Sequence, residues 1–309
     1  MKPVLAALAA ACLCATAARA DEAATADRYR AAMEVARWTG PLLASNAETL
    51  PQGHVYIEPY FFDVIVDGRH NPGSSGFYQY GLTDDWTVGV QPFFSWGTRK
   101  YNHDVTIGDF KLLSQVRLSH FTAEHRVPSV ALVTNLVIPT GKADHLRALK
   151  DGHGAGAFAP EIGVNVQQYF LLKNGRLLRG RINVLHQFPL KTDVRDRSVY
   201  GTQLGFRGHA RPGAKSTLIL GAEYSVTKEW VLAFDVEADT WGKTKVRGRD
   251  AFGAPVRETS PKSWNVGFAP AVEYNWSDRA GIIAGVWIIP KGHNTPSTVI
   301  PAIAIQRFW

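Results

Sequence analysis

The chain has 309 residues, a formal net charge of +7 and only two cysteines. Both cysteines, Cys12 and Cys14, fall within the first twenty residues, so a protein that loses this segment has neither a thiol nor a disulfide. The basic residues are scattered through loops and strands instead of forming a block, which argues against a nucleic-acid partner. The length is sufficient for one large domain, which is the simplest expectation in the absence of repeats or linkers.

Residues 1–20 have the pattern of a secretory signal peptide. Lys2 precedes an apolar stretch at residues 4–15, and Ala18-Arg19-Ala20 forms an A-x-A cleavage site. The apolar stretch is too short to cross a bilayer as a helix. Cleavage would remove Lys2 and Arg19, so the formal charge of the exported protein becomes 7 − 2 = +5.

Residues 21–51 are predicted to form an N-terminal periplasmic helix and a lead-in. The helix is indicated by ADRYRAAMEVARW, which is rich in Ala, Arg and Glu, and the lead-in by the proline- and glycine-containing stretch that follows. The helix can lie beside a barrel at its periplasmic end, or the segment can plug the lumen. The pattern leaves both arrangements open.

Tryptophans bracket several alternating segments, such as Trp86 with Trp96, Trp230 with Trp241, and Trp264 with Trp276. Ten strand residues tilted by about 40° climb roughly 26 Å, close to the apolar band of an outer-membrane barrel between its two aromatic girdles. Of the nine tryptophans, Trp38 is the one far from any predicted strand. The spacing therefore predicts strands that cross a membrane.

Residues 52–309 are predicted to be an all-β, closed up-and-down antiparallel transmembrane β-barrel of about 12 strands. Short turns alternate with longer loops, and the even strand count puts both termini on the side of the short turns, which is periplasmic in such barrels. Ten or fourteen strands would also fit. The predicted strands are residues 54–66, 77–82, 86–96, 109–121, 129–139, 158–172, 176–188, 216–226, 230–241, 263–276, 281–289 and 297–309.

Alternation within the strands separates a lipid-facing row from a polar row. In the strand after Trp230, Leu232 and Phe234 oppose Asp235 and Glu237. A Lys or Arg facing lipid near the bilayer midplane costs about 2–4 kcal/mol, so the charged rows should face the lumen. These charges can pair to fill a narrow barrel, line a solute path, or do both. The candidate lumen-lining residues are Lys111, Arg117, Glu161, Arg179, Arg181, Glu223, Asp235, Glu237 and Glu273.

Several prolines occur within predicted strands, among them Pro59, Pro92, Pro270 and Pro301. Proline removes a backbone donor and marks bulges or edges. Pro59 and Pro301 flank the seam between the first and last strands, at a depth expected to be similar. They could weaken the seam and let an apolar solute leave sideways into the membrane, or they could mark ordinary bulges.

Catalytic patterns are not found in the sequence. It has no G-x-S-x-G elbow and no H-E-x-x-H pair, and no phosphate-binding glycine loop between a strand and a helix. We therefore predict no enzyme activity and no cofactor. His120 and His186 are expected on the lipid-facing side, so a hydrolase would require a serine that proves to be paired with a histidine. Asp144, His145, Asp151 and His153 could gather around a cation or simply be solvated.

Several motifs resemble the MetA-pathway phenol-degradation outer-membrane family. They are TGPL at residues 39–42, TLPQGHVYIEPY at 49–60, YGLTDDWTVGV at 80–90, GDF at 108–110, PSVAL and PTGK within 128–142, YGT and GFRG within 200–208, and GAEYSVTKEWVLAFD at 221–235. The resemblance covers nearly all of the chain after the signal peptide. It implies an outer-membrane β-barrel that acts as a transporter, and it carries no catalytic residues.

Together these features predict a channel or transporter in the outer membrane of a Gram-negative bacterium. It would pass a small solute by diffusion, with hydrophobic or aromatic compounds as candidates, and the loop between Leu190 and Gly213 would contribute selectivity if it folds inward. The expected partners are outer-membrane lipid, the solute and the barrel-assembly machinery. The alternatives are a structural or surface-binding barrel with a packed lumen and, less favoured, a lipid hydrolase.

The closing strand carries a signal for barrel assembly that can be tested. Trp309 is the terminal aromatic residue, and Ile305 and Ile303 alternate before it, whereas Arg307 interrupts the apolar row. We expect Trp309→Gln to reduce membrane insertion, because it removes the aromatic end of this row. Heat-modifiable migration on gels measures insertion, and a variant that inserts as the parent does would contradict the assignment.

Overall fold

The computed structural model describes residues 23–96, 105–124 and 126–309. The predicted signal peptide lies outside these residues. A helix spans residues 23–34, and no described helix is long and apolar enough to cross a bilayer. The strands are β1 Val55–Val66, β2 Arg69–Thr83, β3 Trp86–Gln91, β4 Phe93–Trp96, β5 Val105–Ile107, β6 Phe110–Ser119, β7 Ser129–Ile138, β8 Ala159–Leu171, β9 Leu177–Gln187, β10 Thr192–Arg195, β11 Arg207–Arg211, β12 Lys215–Ser225, β13 Trp230–Trp241, β14 Lys245–Arg249, β15 Pro255–Thr259, β16 Ser263–Ser277, β17 Ala280–Ile289 and β18 Thr298–Phe308.

A closed antiparallel barrel of twelve strands forms the body of the molecule. Its strands follow the order β1, β2, β3, β6, β7, β8, β9, β12, β13, β16, β17 and β18, and β1 also pairs with β18, which closes the sheet. Pro92 separates β3 from β4, which continues along β2. The prediction of a closed all-β barrel with about twelve strands is confirmed, and closure leaves no unpaired edge in the lipid.

The first hairpin is longer than expected. Residues 67–76 were predicted to be a loop, but β2 begins at Arg69 and pairs with β1 from there. The turn consists of Asp67 and Gly68, with φ of 49° and 71°. A two-residue turn with two positive φ angles matches the twist of a hairpin. Backbone pairing with β1 thus outweighs the preference of this glycine- and serine-rich stretch for a loop conformation.

The two faces of the wall follow the predicted alternation. On β13, Leu232 and Phe234 are exposed to the lipid side, whereas Asp235 is fully buried on the inner side. Tryptophans are among the exposed apolar side chains at both strand ends, including Trp86, Trp230 and Trp264. This arrangement gives the barrel an apolar exterior with aromatic girdles and identifies it as an outer-membrane barrel.

The seam between β1 and β18 is paired between its two prolines. Tyr60 pairs with Ala304 and Phe62 with Ala302, so Pro59 and Pro301 lie on opposite sides of a paired stretch. The expectation that the two prolines lie at similar depth is therefore wrong. The reason is the register of the closing pair, which the positions in the sequence do not reveal.

Beyond the loop side of the barrel, β10, β11, β14 and β15 form a second, four-stranded sheet. These strands lie in two stretches that were expected to be loops. One face of the sheet packs around a small core of Val194, Phe206, Ala210 and Val246. The loop between Leu190 and Gly213 is therefore largely structured.

Asp196 holds part of this loop together in a pH-dependent way. Its carboxylate accepts the backbone N–H of Gly205 at 2.9 Å and lies 2.6 Å from Nδ1 of His145. The Gly205 N–H, and then His145, lower the pKa of Asp196. Because folding favours the charged carboxylate, its contribution is present at neutral pH and is lost as the pH falls through the lowered pKa.

We expect amide exchange at Gly205, corrected for the intrinsic rate, to accelerate as the pH drops from about 6 to about 3. Asp196→Asn keeps an acceptor oxygen but removes the titration, so its corrected exchange should change little over this range. Hydrogen exchange followed by mass spectrometry makes the comparison. The same pH dependence in both proteins would rule out Asp196 as the cause.

Candidate functional site

The lumen contains part of the protein's own N-terminal segment. Residues 39–50, which we call the arch, enter at the short-turn end beside β16, cross the barrel at about the middle of its strands and return beside β6 and β3. The predicted lead-in thus passes through the lumen. The two arrangements left open by the sequence, a helix outside the lumen and a plug inside it, apply to two successive parts of one segment.

Side chains of the wall bind the backbone of the arch. The N–H of Thr39 donates to Glu273 at 2.7 Å, and the N–H of Leu43 donates to Asp235 at 2.9 Å. Asn183 makes a two-way contact with Ser45, accepting its N–H at 2.8 Å and donating to its carbonyl at 3.0 Å. Since a buried backbone polar group without a partner is costly, these contacts let an irregular segment lie inside a barrel.

An ionic cluster lies under the top of the arch. Arg179 forms a bidentate pair with Glu223, with its Nε 2.7 Å from one carboxylate oxygen. Arg181 lies 3.4 Å from the same carboxylate and donates to the carbonyl of Ala44 at 2.7 Å. The guanidinium of Arg179 also stacks 4.6 Å from the ring centroid of Trp38. Removing one member of such a buried pair typically costs about 3–5 kcal/mol.

The second leg of the arch is held at Glu48. Arg117 donates to the Glu48 carboxylate at 3.0 Å, Ser129 donates to its other oxygen, and Gln115 donates to its carbonyl at 2.9 Å. Farther along, the N–H of Leu50 donates to Thr87 at 2.8 Å. The arch is therefore fixed at both ends and at its top.

The helix lies at the short-turn end of the barrel. Tyr29 packs against Phe121 with ring centroids 5.8 Å apart, and Ala26 and Leu177 are buried in the same cluster. Arg37 then reaches Asp278 in the turn after β16 at 2.5 Å, and this contact lowers the pKa of Asp278. The helix thus anchors the arch from the side that faces the periplasm in this class of barrel.

A cavity of about 560 Å³ remains between the arch and the wall. Its lining reaches from Lys215 and Glu237, near the loop side, to Gln306 and Phe308 at the opposite end of their strands. Tyr56, Glu58, Tyr60 and Phe77 line it on the β1–β2 side. The lumen is therefore neither wide open nor filled.

All nine candidate residues belong to the inward-facing rows, and the structure places them in three groups. Arg179, Arg181, Glu223, Asp235 and Glu273 surround the top of the arch. Arg117 lies at its second leg. Lys111 pairs with Glu161 at 3.2 Å nearer the loop side, where Glu237 also lines the cavity.

Other residues of the site were missed in the sequence. Asn183, Asn165, Ser129 and Glu48 contact or belong to the arch, and Glu58 lines the cavity with one oxygen, Oε1, that has no hydrogen-bond partner among the described residues. For the residues that lie on strands, the position on polar inward rows was visible in the alternation. Their partners were not, because the pattern left open whether the lead-in lies inside or outside the barrel.

The residues considered for metal binding or hydrolysis are dispersed. His145 contacts Asp196, His153 contacts Ser95, and Asp151 accepts the N–H of Ala148. Within the described ranges, no group of three or more His, Cys, Asp or Glu could hold a metal ion. His186 does contact Ser216, at 2.7 Å, but no acidic or amide side chain in the described part of the chain is hydrogen-bonded to this histidine.

The solved structures that align with this chain include outer-membrane proteins. An outer membrane channel from Pseudomonas putida F1 aligns with a TM-score of 0.58 and 13% identity, covering 88% of this chain and 100% of that one. The NanC porin aligns with a TM-score of 0.47 and 9% identity, covering 81% of this chain and 98% of that one. A mutant TodX monoaromatic hydrocarbon channel aligns with a TM-score of 0.46 and 11% identity, covering 84% of this chain and 91% of that one. No family model and no curated protein matches the sequence. The likeness to the first structure agrees with the architecture described above: this protein is a closed β-barrel of the bacterial outer membrane.

The position of the arch can be tested through Gly221. A Cβ at Gly221 would lie 2.6 Å from Cβ of Ala44 and 2.7 Å from a carboxylate oxygen of Asp235. We therefore expect Gly221→Val to displace the arch. Both native cysteines lie in residues 1–20, so Ser45→Cys provides a single label site once the predicted signal peptide is removed. Its reaction with a soluble maleimide should become at least severalfold faster in the Gly221→Val background.

Gly180→Val is the matched control, since Gly180 lies on the lipid-facing row of the adjacent strand and pairs with Ala222. Labelling in this control should remain as slow as in the parent. Equal labelling in all three proteins would show that the arch does not depend on contact with Gly221.

Proposed function

We propose that this protein is a passive channel for a small solute, and that the solute moves through the space beside the arch. The observation that carries the proposal is the cavity, whose lining extends between the two ends of the barrel strands. The arch narrows the lumen without filling it. The protein from Pseudomonas putida F1 that shares this fold is an outer membrane channel, so the architecture is compatible with that function.

The cavity lining favours a solute with an apolar or aromatic part. Tyr60 and Phe77 meet edge to face with centroids 6.3 Å apart, and Tyr56 and Phe308 line the same space. Aromatic side chains offer apolar contact together with preferred ring geometries. Glu58 lines the same space, and its buried Oε1 has no hydrogen-bond partner among the described residues, so an acceptor lies next to the path. A small neutral aromatic compound with a hydrogen-bond donor fits this combination.

Most lumen charges serve the wall and the arch in this proposal. Arg179 and Glu223 neutralise each other, as do Lys111 and Glu161, so these pairs shape the path more than they attract ions. The solute therefore passes a lining with little uncompensated charge apart from Glu58 and Glu237. The channel should discriminate by size and by apolar contact.

Two other functions are separated from this one by experiment. A packed structural barrel predicts no conductance, and the cavity argues against it. A lipid hydrolase would use Ser216 with His186, but a serine nucleophile also needs its base oriented by a third group, and no such group contacts His186 within the described residues. A lipid hydrolysis assay on the folded protein would detect that activity directly.

Filling the cavity should block passage. Leu113 lines the cavity, and Leu113→Trp adds a large ring there. We expect the variant to lower single-channel conductance in planar bilayers severalfold and to slow liposome swelling by phenyl glucoside more than by methyl glucoside. These solutes are too polar to cross the lipid unaided, and they differ in the aromatic ring.

Leu112→Trp is the control, because Leu112 is exposed on the lipid face of the same strand. It should leave both measurements unchanged. A folded parent protein that gives no conductance steps and no swelling would overturn the channel proposal in favour of the packed barrel.

A further inference from the structure

The four-stranded sheet is a direct continuation of the barrel wall. The β10–β11 pair continues the register of the β9–β12 pair without interruption. In the same way, β11–β14 continues β12–β13, and β14–β15 continues β13–β16. Only a few residues separate each barrel strand from its extension, and Pro189, Pro212, Gly242 and Pro261 lie in these breaks. The sheet therefore begins where the wall leaves the membrane.

One face of this sheet is strongly basic. Alternation places on it seven lysine or arginine side chains and one histidine, with Asp193 as the acidic residue among them. Seven of the eight are exposed, and His209 is half-buried. The basic residues are Arg195, Arg207, His209, Arg211, Lys245, Arg247, Arg249 and Arg257.

The cations of this face lie directly opposite one another across the strands. Arg207 pairs with Arg249, Arg211 with Lys245, and Arg247 with Arg257. Like charges in such positions destabilise a sheet. Within the described ranges none of these side chains forms an ion pair with an acidic residue, although Arg249 donates to the carbonyl of Gly253. The face thus carries a concentrated charge that the rest of the described chain does not neutralise.

The basic face is directed away from the mouth of the barrel. The opposite, apolar face is covered by residues 196–206, whose Tyr200 donates to the carbonyl of Ala155. The loop containing Ala155 reaches across to the lumen-facing side of β4, where His153 contacts Ser95 at 3.2 Å. Since these loops lie over the mouth, the basic face is turned towards the surroundings of the barrel.

We propose that this basic face binds the phosphorylated glycolipid headgroups of the outer leaflet. Its seven formal charges exceed what a small solute with one or two negative charges can neutralise, so the complementary partner is polyvalent. The level of the sheet, immediately beyond the embedded wall and the exposed Trp264, places it beside the headgroups. Basic clusters next to a membrane span bind anionic headgroups in this way.

The test uses the full-length protein reconstituted in phosphatidylcholine nanodiscs, with purified lipopolysaccharide as the probe. Replacing Arg207, Arg247, Arg249 and Arg257 with glutamine removes four cations from the face. We expect apparent affinity to fall about tenfold or more, and binding by the parent to weaken as salt is raised. Lysine at the same four positions should restore most of the binding, which separates loss of charge from loss of fold.

A matched control removes four exposed cations from other parts of the loop side, with Arg69→Gln, Lys142→Gln, Lys150→Gln and Lys291→Gln. It should bind as the parent does. Equal loss in this control, or undiminished binding of dephosphorylated lipopolysaccharide, would overturn the proposal. So would a face variant that binds lipopolysaccharide normally but loses affinity for a small organic anion such as benzoate.

Discussion

The absence of hydrogen-bond partners in a bilayer is the constraint on which this structure depends. Each backbone N–H and C=O of a segment that crosses the apolar layer must be satisfied within the protein. Closing β1 onto β18 meets this requirement for the wall. It also explains the placement of side chains, because apolar rows must face acyl chains while polar rows turn inward, where they need partners of their own.

The arch supplies many of those partners. Asp235, Glu273 and Asn183 are fully buried or nearly so, and each is matched to a backbone group of residues 39–45. In turn, the arch can lie inside the barrel only because these side chains accept its N–H groups. The inward polar rows and the N-terminal segment thus form one buried hydrogen-bonded network. The proposed solute path is the part of the lumen that this network leaves free.

The same wall serves a different purpose outside the membrane. Where β9, β12, β13 and β16 leave the apolar layer, their extensions keep the register but no longer need to cover their outer face with apolar side chains. Arginines such as Arg207 and Arg249 can then stand opposite each other, which no lipid-facing row would tolerate. The proposed solute path and the proposed headgroup site therefore lie in separate parts of one continuous sheet.

The sequence by itself determined the barrel, most of its strand positions and the inward direction of residues such as Arg179, Glu223 and Glu273, since lipid on one side enforces a strict period of two. Only the tertiary structure decided what those residues contact. The arch has no periodicity because its hydrogen bonds go to side chains from seven different strands. Likewise, β2 extends through residues with loop composition because β1 offers it a paired edge. The alternation of apolar and polar residues along a strand indicates whether each side chain faces lipid or the lumen. Contacts between residues distant in the chain depend instead on how the closed sheet brings them together.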